Sequence, residues 1–125
     1  MCAASQGIVI NRYLFLLHEK PADAAQVSPA EIKEIIARCK AWSAGLAQHG
    51  LIVGGEKLTD DGGGQLRLKN DKPLATDGPY AEAHDVIGGI FTVKAESDAM
   101  AEELTQSCPH LEGTQWIEIR RIESI

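Results

Sequence analysis

The sequence predicts an α+β domain in which two helices lie on one face of a single, mostly antiparallel sheet. Three observations indicate this class. Short apolar runs alternate with two segments of helical periodicity; the length of 125 residues suits one core and is too short for two; and a content of 44% hydrophobic and 24% charged residues is that of an ordinary globular protein. We expect one domain over residues 1–125, with its core at about 12–123.

The chain begins its pattern with a strand and a long helix. Tyr13–Leu17 is short, apolar and aromatic, and both of its alternating faces are apolar. Ser28 is a suitable N-cap, Pro29 suits the first helical position and Glu31 completes a capping box, so a helix begins there. Gly50 offers a left-handed stop. Between them, apolar residues recur at intervals of three and four and form one stripe: Ile32, Ile35, Ile36, Cys39, Trp42 and Leu46.

A short strand and a hairpin are predicted next. Leu51–Val53 is apolar and is ended by Gly54–Gly55. Asn70–Asp71 has the composition of a tight turn, which would join Gln65–Lys69 to Lys72–Thr76.

The second half of the chain repeats the order strand, helix, strand. Val86–Val93 is apolar on both faces and contains two glycines, which predicts a central strand that something bulky approaches closely. Ser97 or Asp98 caps a second, shorter helix, and Trp116–Ile122 is the last strand. The side chains of this helix expected to face inward are Met100, Leu104 and Cys108.

The distribution of apolar residues predicts a homodimer. Right-handed crossovers place both helices on the same side of the sheet, which leaves the opposite face without cover. Tyr13–Leu17 and Val86–Val93 nevertheless project apolar side chains from both faces, so a single subunit would expose a large apolar patch. A second copy of the same sheet, packed face to face about a two-fold axis, is the simplest cover.

Charge, cysteine content and the length of the apolar runs disfavour several kinds of protein and of partner. A net charge of −6 and a pI near 5.1 disfavour nucleic acid and membrane surfaces as partners. The three cysteines, Cys2, Cys39 and Cys108, form neither a disulfide framework nor a zinc motif, which favours a reducing cytoplasm. Near the start of the sequence the longest apolar run is Tyr13–Leu17, shorter than a signal sequence or a membrane span.

One stretch, TDGPYAEAHDVIGGIF at Thr76–Phe91, resembles the signature D-G-P-F-x-E-x-K-E and following glycine-bearing strand of the DGPF branch of the YCII-related proteins. The segments YLFLLHE, LIVGGEKL and CPHLEGTQWIEIRRI are also similar to that family, so the resemblance covers the chain from about Tyr13 to Ile122. Three residues depart from the signature: Tyr80 replaces phenylalanine, His84 replaces lysine and Asp85 replaces glutamate. The residues that match it are Asp77, Gly78, Pro79 and Glu82.

The resemblance implies a ferredoxin-like protomer that forms a dimeric α+β barrel. The resemblance implies much less about function than about fold. Most members have no assigned activity, some relatives are thought to act on small organic molecules, and genes of this branch often lie beside sigma factors of the extracytoplasmic-function type. A small-molecule ligand and an association with a sigma factor are therefore the partners that the resemblance implies.

Glu82, His84 and Asp85 are the candidate catalytic residues. In an extended segment Glu82 and His84 project to the same side and Asp85 to the other. A carboxylate beside an imidazole orients it and raises its basicity, which suits general acid/base catalysis without a cofactor. The alternative is structural: Asp77 caps a turn whose geometry Gly78 and Pro79 set, Glu82 pairs with a surface cation, and Asp85 has a structural role.

Four further residues are candidates for ligand binding: Asp77, Tyr80, His18 and Arg120. Each has a structural alternative, such as packing for Tyr80, a satisfied strand-end histidine for His18, and an ion pair near Glu118 for Arg120. His110 is expected to be exposed. None of the four histidines has metal-ligand spacing, so no metal site and no cofactor are expected.

The resulting hypothesis is a cytoplasmic homodimer with a cleft in each subunit, roofed by the loop Asp77–Asp85, that binds a small organic molecule. Catalysis there would be an isomerase, lyase or hydrolase type of step, with His84 as the acid or base and Glu82 orienting it. The alternative is a non-catalytic module that binds a ligand or a protein partner. The sequence does not specify a substrate.

Overall fold

The structure is a computed structural model that describes residues 10–20, 27–59, 63–77 and 85–124. Two helices and six strands lie in these ranges. Among the described residues, no helix is both long and apolar enough to cross a membrane. The elements in chain order are β1 (Asn11–Glu19), α1 (Pro29–Gln48), β2 (Ile52–Lys57), β3 (Gly64–Lys69), β4 (Lys72–Asp77), β5 (Val86–Ala95), α2 (Asp98–Gln106) and β6 (Trp116–Ile122).

Four of the strands form one antiparallel sheet in the order β2, β5, β1, β6. With the β3–β4 hairpin counted as an insertion, the chain runs βαββαβ. This order and connectivity are those of a ferredoxin-like α+β fold, which confirms the predicted class. The central positions of β1 and β5 agree with their apolar sequences, since central strands are the most buried.

The core lies between the sheet and the helices. Tyr13, Phe15 and Leu17 alternate along β1 and are buried, and they pack with residues of both helices, including Leu46 of α1 and Ala101 of α2. Because both helices contribute to this one cluster, they cover the same face of the sheet, as predicted. We call the opposite face, to which Leu14, Leu16 and His18 point, the open face.

The apolar stripe of α1 contacts the core only in its second half. Trp42 and Leu46 pack against the cluster, whereas Ile32 and Ile36 remain 42% and 44% exposed. A helix of 20 residues is about 30 Å long, and its neighbour β2, with six residues, spans only about 20 Å. The sequence period therefore indicated an apolar face correctly, but α1 is longer than β2, and Ile32 and Ile36 in its first half stay exposed.

Strand β2 does not end at its glycines, as the sequence suggested, but continues through Gly54 and Gly55 to Lys57. Gly55 pairs with Phe91, and a Cβ atom at Gly55 would lie 2.5 Å from a ring carbon of Phe91. The glycine is thus required by the close approach of an aromatic ring and does not mark a turn.

The predicted serine N-caps, the left-handed stop after α1 and the Asn70–Asp71 turn are confirmed. The side-chain oxygens of Ser28 and Ser97 accept hydrogen bonds from the first turns of α1 and α2. Gly50 has a φ of 66° after α1. Asn70 and Asp71 both have positive φ values, 54° and 64°, which is the type I′ turn that joins two strands directly.

Replacing the fully buried Phe15 should destabilise the fold strongly. Phe15 is 0% exposed at the centre of β1, so Phe15→Ala should lower the free energy of unfolding by about 3–5 kcal/mol through lost burial and a cavity. Chemical denaturation followed by circular dichroism measures this. Lys40→Ala, on the exposed side of α1, is the control and should change the value by less than about 0.5 kcal/mol; equal effects of the two substitutions would contradict the assigned core.

Candidate functional site

The pairing of the first and last strands brings polar side chains together on the open face. In the antiparallel register of β1 and β6, His18 lies opposite Trp116, Leu16 opposite Glu118, and Leu14 opposite Arg120. These residues come from the two ends of the chain, and the strand register alone places them side by side. The polar side chains are therefore concentrated along β6, at the edge of this face.

His18 and Glu118 form a hydrogen-bonded pair. The Nε2 atom of His18 lies 3.0 Å from Oε1 of Glu118, and the imidazole side chain is only 13% exposed. The second carboxylate oxygen of Glu118 accepts a hydrogen bond from Nη1 of Arg120 at 3.4 Å. The carboxylate is thus shared between an imidazole and a guanidinium.

The indole ring of Trp116 stacks on the imidazole ring of His18. The two ring centroids are 3.9 Å apart and the planes differ by 6°, so the rings are stacked. Trp116 is 41% exposed, so part of the indole is accessible to solvent. Stacking and the hydrogen bond together restrict His18 to one orientation.

The contact with Glu118 bears on the tautomer of a neutral His18. When the imidazole is neutral and Nε2 donates to Glu118, the lone pair is on Nδ1. The hydrogen bond from His18 is the largest cause of a lowered pKa at Glu118, and the Arg120 contact acts in the same direction. Glu118 therefore stays ionised and can stabilise a positive charge on the imidazole.

His110 supports the backbone of this site from the interior. Its Nε2 atom donates to the backbone oxygen of His18 at 2.8 Å, and the residue is only 7% exposed. Burial is the largest influence on this imidazole and lowers its pKa. The expectation that His110 is exposed was wrong, because the turns after α2 return the chain to the end of the sheet. In these turns the backbone amide of Leu111 donates to the backbone oxygen of Cys108, which is buried.

The close approach predicted at the glycines of β5 involves Glu19. The pairing of β1 with β5 shifts by one residue between Leu17 and His18, so that His18 pairs with Ile87. A Cβ atom at Gly88 would clash with the carboxylate of Glu19. The irregularity thus accommodates an acidic side chain beside the strand. Burial lowers the pKa of His110, and the charge of Glu19 offsets part of that lowering.

Of the predicted site residues, Tyr80, Glu82 and His84, with the side chain of Asp77, lie outside the described residues. The backbone of Asp77 ends β4 opposite Gly64. Asp85 is exposed and directly precedes Val86, which pairs with Glu19. Asp85 therefore lies at the same end of the sheet as His18.

The structure connects His18 and Arg120, both predicted from the sequence, through the carboxylate of Glu118. The ion pair between Arg120 and the Glu118 region was also expected. The sequence reasoning missed the imidazole–carboxylate pair and the stacked Trp116. The signal that could have indicated them is the alternation of Trp116, Glu118 and Arg120 along the last strand.

Within the described ranges, no three histidine, cysteine, aspartate or glutamate side chains are grouped as metal ligands. An open depression on α2, lined by Met100, Glu103, Leu104, Gln106 and Ser107, lies on the helix side of the sheet. It does not include His18, and we do not assign it to the site.

The family model described as YCII-related domain matches residues 11–124, which include all six strands and both helices. Among curated proteins, none matches the chain.

The pKa of Glu118 provides a test of the His18 hydrogen bond. The folded-state pKa is lower than the ordinary value of 4.5, so this contact stabilises the fold fully above pH 4.5, and the stabilisation is lost as the pH falls through the folded-state pKa. In His18→Ala, the pKa of Glu118 should rise toward 4.5, as measured by ¹³C NMR titration of the carboxyl carbon. Arg120→Ala is the matched control and should raise it less; a larger effect of Arg120→Ala would contradict the order of the two causes.

Proposed function

The chain belongs to the YCII-related family, and on that basis we propose that it binds a small organic molecule at the His18 end of its open sheet face and transfers a proton on it without a cofactor. The observation that carries this proposal is the His18–Glu118 pair, with its 3.0 Å contact. An imidazole oriented by a carboxylate on one nitrogen, with its lone pair on the other, suits general acid/base catalysis.

The neighbours of His18 suit an organic ligand. Trp116 offers exposed aromatic surface, and Arg120, whose side chain is 70% exposed, offers a cation that can pair with an anionic group. Leu16 lies on the same face next to His18. A ligand with a flat or apolar part and a polar group would therefore find complementary contacts.

The loop that carries Glu82, His84 and Asp85 stays in this proposal as the roof of the cleft. We place the chain in the DGPF branch of the family because DGPYAEAHD is similar to the signature of that branch. His84, oriented by Glu82, would be a second imidazole near the same end of the sheet, since Asp85 precedes Val86 there. Two imidazoles allow one acid and one base, which fits an isomerase, lyase or hydrolase type of step.

We also propose that the protein is a cytoplasmic homodimer in which the open faces of two copies cover each other. Leu14, Leu16 and Ile90 are half-buried in the middle of this face, where the helices cannot reach. The polar residues Glu118 and Arg120 lie at its edge. An apolar centre with a polar edge is the pattern of a protein interface.

The second candidate function is a non-catalytic module that binds a ligand or a partner such as a sigma factor. The observation that favours it is the openness of the described part of the site, where Trp116 is 41% exposed and the side chain of Arg120 is 70% exposed. Catalysis that depends on excluding water requires a cover over these residues, whereas protein recognition does not.

Ligand binding can be tested by a thermal-shift screen with a collection of small organic acids, amides and ketones. A ligand at about 100 times its dissociation constant should stabilise the folded protein by about 2.7 kcal/mol and raise its melting temperature. The shift should be lost in His18→Ala and retained in His49→Ala, the control, whose imidazole contacts Gly45 at the end of α1. Conversion of each hit is then followed by NMR.

The outcomes separate the two candidate functions. Binding with conversion that requires His18 supports catalysis, and binding without any conversion supports the non-catalytic module. Shifts that persist in His18→Ala and disappear in His49→Ala would refute this location for the site.

The homodimer can be tested by sedimentation velocity across a range of protein concentrations. Leu16→Glu introduces a charge at the centre of the open face and should weaken the dimer, because an unpaired charge would be buried in the interface. Lys40→Glu, on the exposed side of α1, makes the chain more acidic than Leu16→Glu does and should leave the dimer unchanged. A wild-type protein that stays monomeric at all concentrations would exclude the homodimer.

A further inference from the structure

The imidazole of His110 contacts the backbone of both residues of the stacked His18–Trp116 pair. Its Nε2 atom lies 2.8 Å from the backbone oxygen of His18. Burial is the main influence on the pKa of this ring and lowers it, and a hydrogen bond with the backbone of Trp116 acts in the opposite direction. His18 and Trp116 are the last pair in the register of β1 with β6. His110 therefore joins these two strands at the point where the rings stack.

The hydrogen bond between His110 and His18 has a single possible direction. A carbonyl oxygen only accepts, so Nε2 of His110 carries a hydrogen and donates it. His110 is 7% exposed, so this bond lies in the interior, where a hydrogen bond is electrostatically stronger than in water. The contact thus holds the backbone of His18 from the interior of the subunit.

The turn that carries His110 is attached to α1 by contacts on both sides of it in the sequence. Before His110, the hydroxyl oxygen of Ser107 accepts a hydrogen bond from Nε1 of Trp42 at 3.1 Å. After it, Oε2 of Glu112 accepts a hydrogen bond from Nη2 of Arg38 at 3.3 Å. Neither contact involves His18, so the position of His110 is set independently of the site that it supports.

The backbone of His18 needs such support because the sheet is irregular beside it. The pairing of β1 with β5 shifts between Leu17 and His18, and irregularities of this kind change the direction in which a side chain points. Two contacts of the His18 ring depend on that direction. One is the 3.0 Å hydrogen bond to Glu118, and the other is the stacking on Trp116 with centroids 3.9 Å apart.

We propose that His110 is a positioning residue of the candidate site, which keeps the imidazole of His18 in contact with both Glu118 and Trp116 by holding the backbone oxygen of His18. The inference rests on the proposed function only for its effect on turnover, since the position of the His18 ring can be measured without a ligand. His110 acts through His18 and does not itself contact the ligand.

Three substitutions at His110 and one control separate positioning from general stability. His110→Leu removes the donor, and His110→Asn carries an amide too short to reach the oxygen of His18. His110→Gln places an amide N–H at about the position of Nε2 and retains the donor. Thr105→Val is the matched control, because Thr105 is 6% exposed and its hydroxyl donates to the backbone oxygen of Glu102 at 2.7 Å, within α2.

The pKa of Glu118 measures the position of the His18 ring, because the hydrogen bond from His18 is the largest cause of its lowering. In His110→Leu and His110→Asn this pKa should rise toward 4.5, as it should in His18→Ala. The ring-proton resonances of His18, which the stacked indole shields, should move downfield in the same two variants. His110→Gln and Thr105→Val should keep both quantities at their wild-type values in NMR titrations.

A purely structural role for His110 gives a different result. His110→Asn or His110→Leu would then lower the melting temperature, as Thr105→Val would, but would leave the Glu118 titration and the His18 resonances unchanged. That outcome overturns the proposal. A His110→Gln variant that folds but shows the same changes as His110→Asn also overturns it, because the donor would not be the group that matters.

Turnover tests the consequence of positioning once the thermal-shift screen has identified a compound that the protein converts. His110→Asn should lower kcat by roughly 10- to 100-fold with little change in KM, because small misplacements of a reacting group are costly. His110→Gln should remain near the wild-type kcat. If kcat is unchanged in His110→Asn, the positioning role is overturned while the proposed function stands. If no compound binds, the proposed function fails, and the titrations still decide the role of His110.

Discussion

The antiparallel pairing of β1 with β6 is the constraint on which the core and the candidate site both depend. This register points Phe15 into the core and places Leu16 opposite Glu118 on the other face. Because side chains alternate along a strand, a slip of one residue would exchange the two faces. Glu118 would then point toward the core, and the His18–Glu118 pair would not form. The burial of the aromatic residues of β1 thus also secures the polar contact on the open face.

Local features of the fold could be predicted from the sequence because neighbouring residues determine them. Ser28 caps α1 through the amide of Glu31, three residues away, and Asn70 and Asp71 adopt the left-handed conformations that their short polar side chains tolerate. The ends of β6 were also predicted correctly, since its alternation is regular. The open face followed from the apolar character of β1 and β5 on both sides, combined with the handedness of the crossovers.

The candidate site could be predicted only in part, because its contacts join distant segments. His18 and Glu118 are 100 residues apart, and only the strand register shows that they meet. His110 was assigned to the surface from its place after a helix stop, but the turn there directs it to the backbone of His18. Likewise, Gly55 resembled a strand end until its contact with Phe91 was known. In each case a tertiary contact, which the local sequence does not show, determines the structure.

The charge of Glu118 on the open face is compensated by neighbours, which reduces the cost of covering this face with a partner surface. Burying an ionised group is costly when it lacks a partner, but Glu118 already accepts hydrogen bonds from His18 and from Arg120 within its own subunit. A partner surface would therefore meet a group whose charges are largely compensated, beside the apolar Leu16. Excluding water would at the same time strengthen the effect of Glu118 on the imidazole, because solvent would no longer screen it. In the proposed homodimer, a cover over the open face would therefore bury few uncompensated charges.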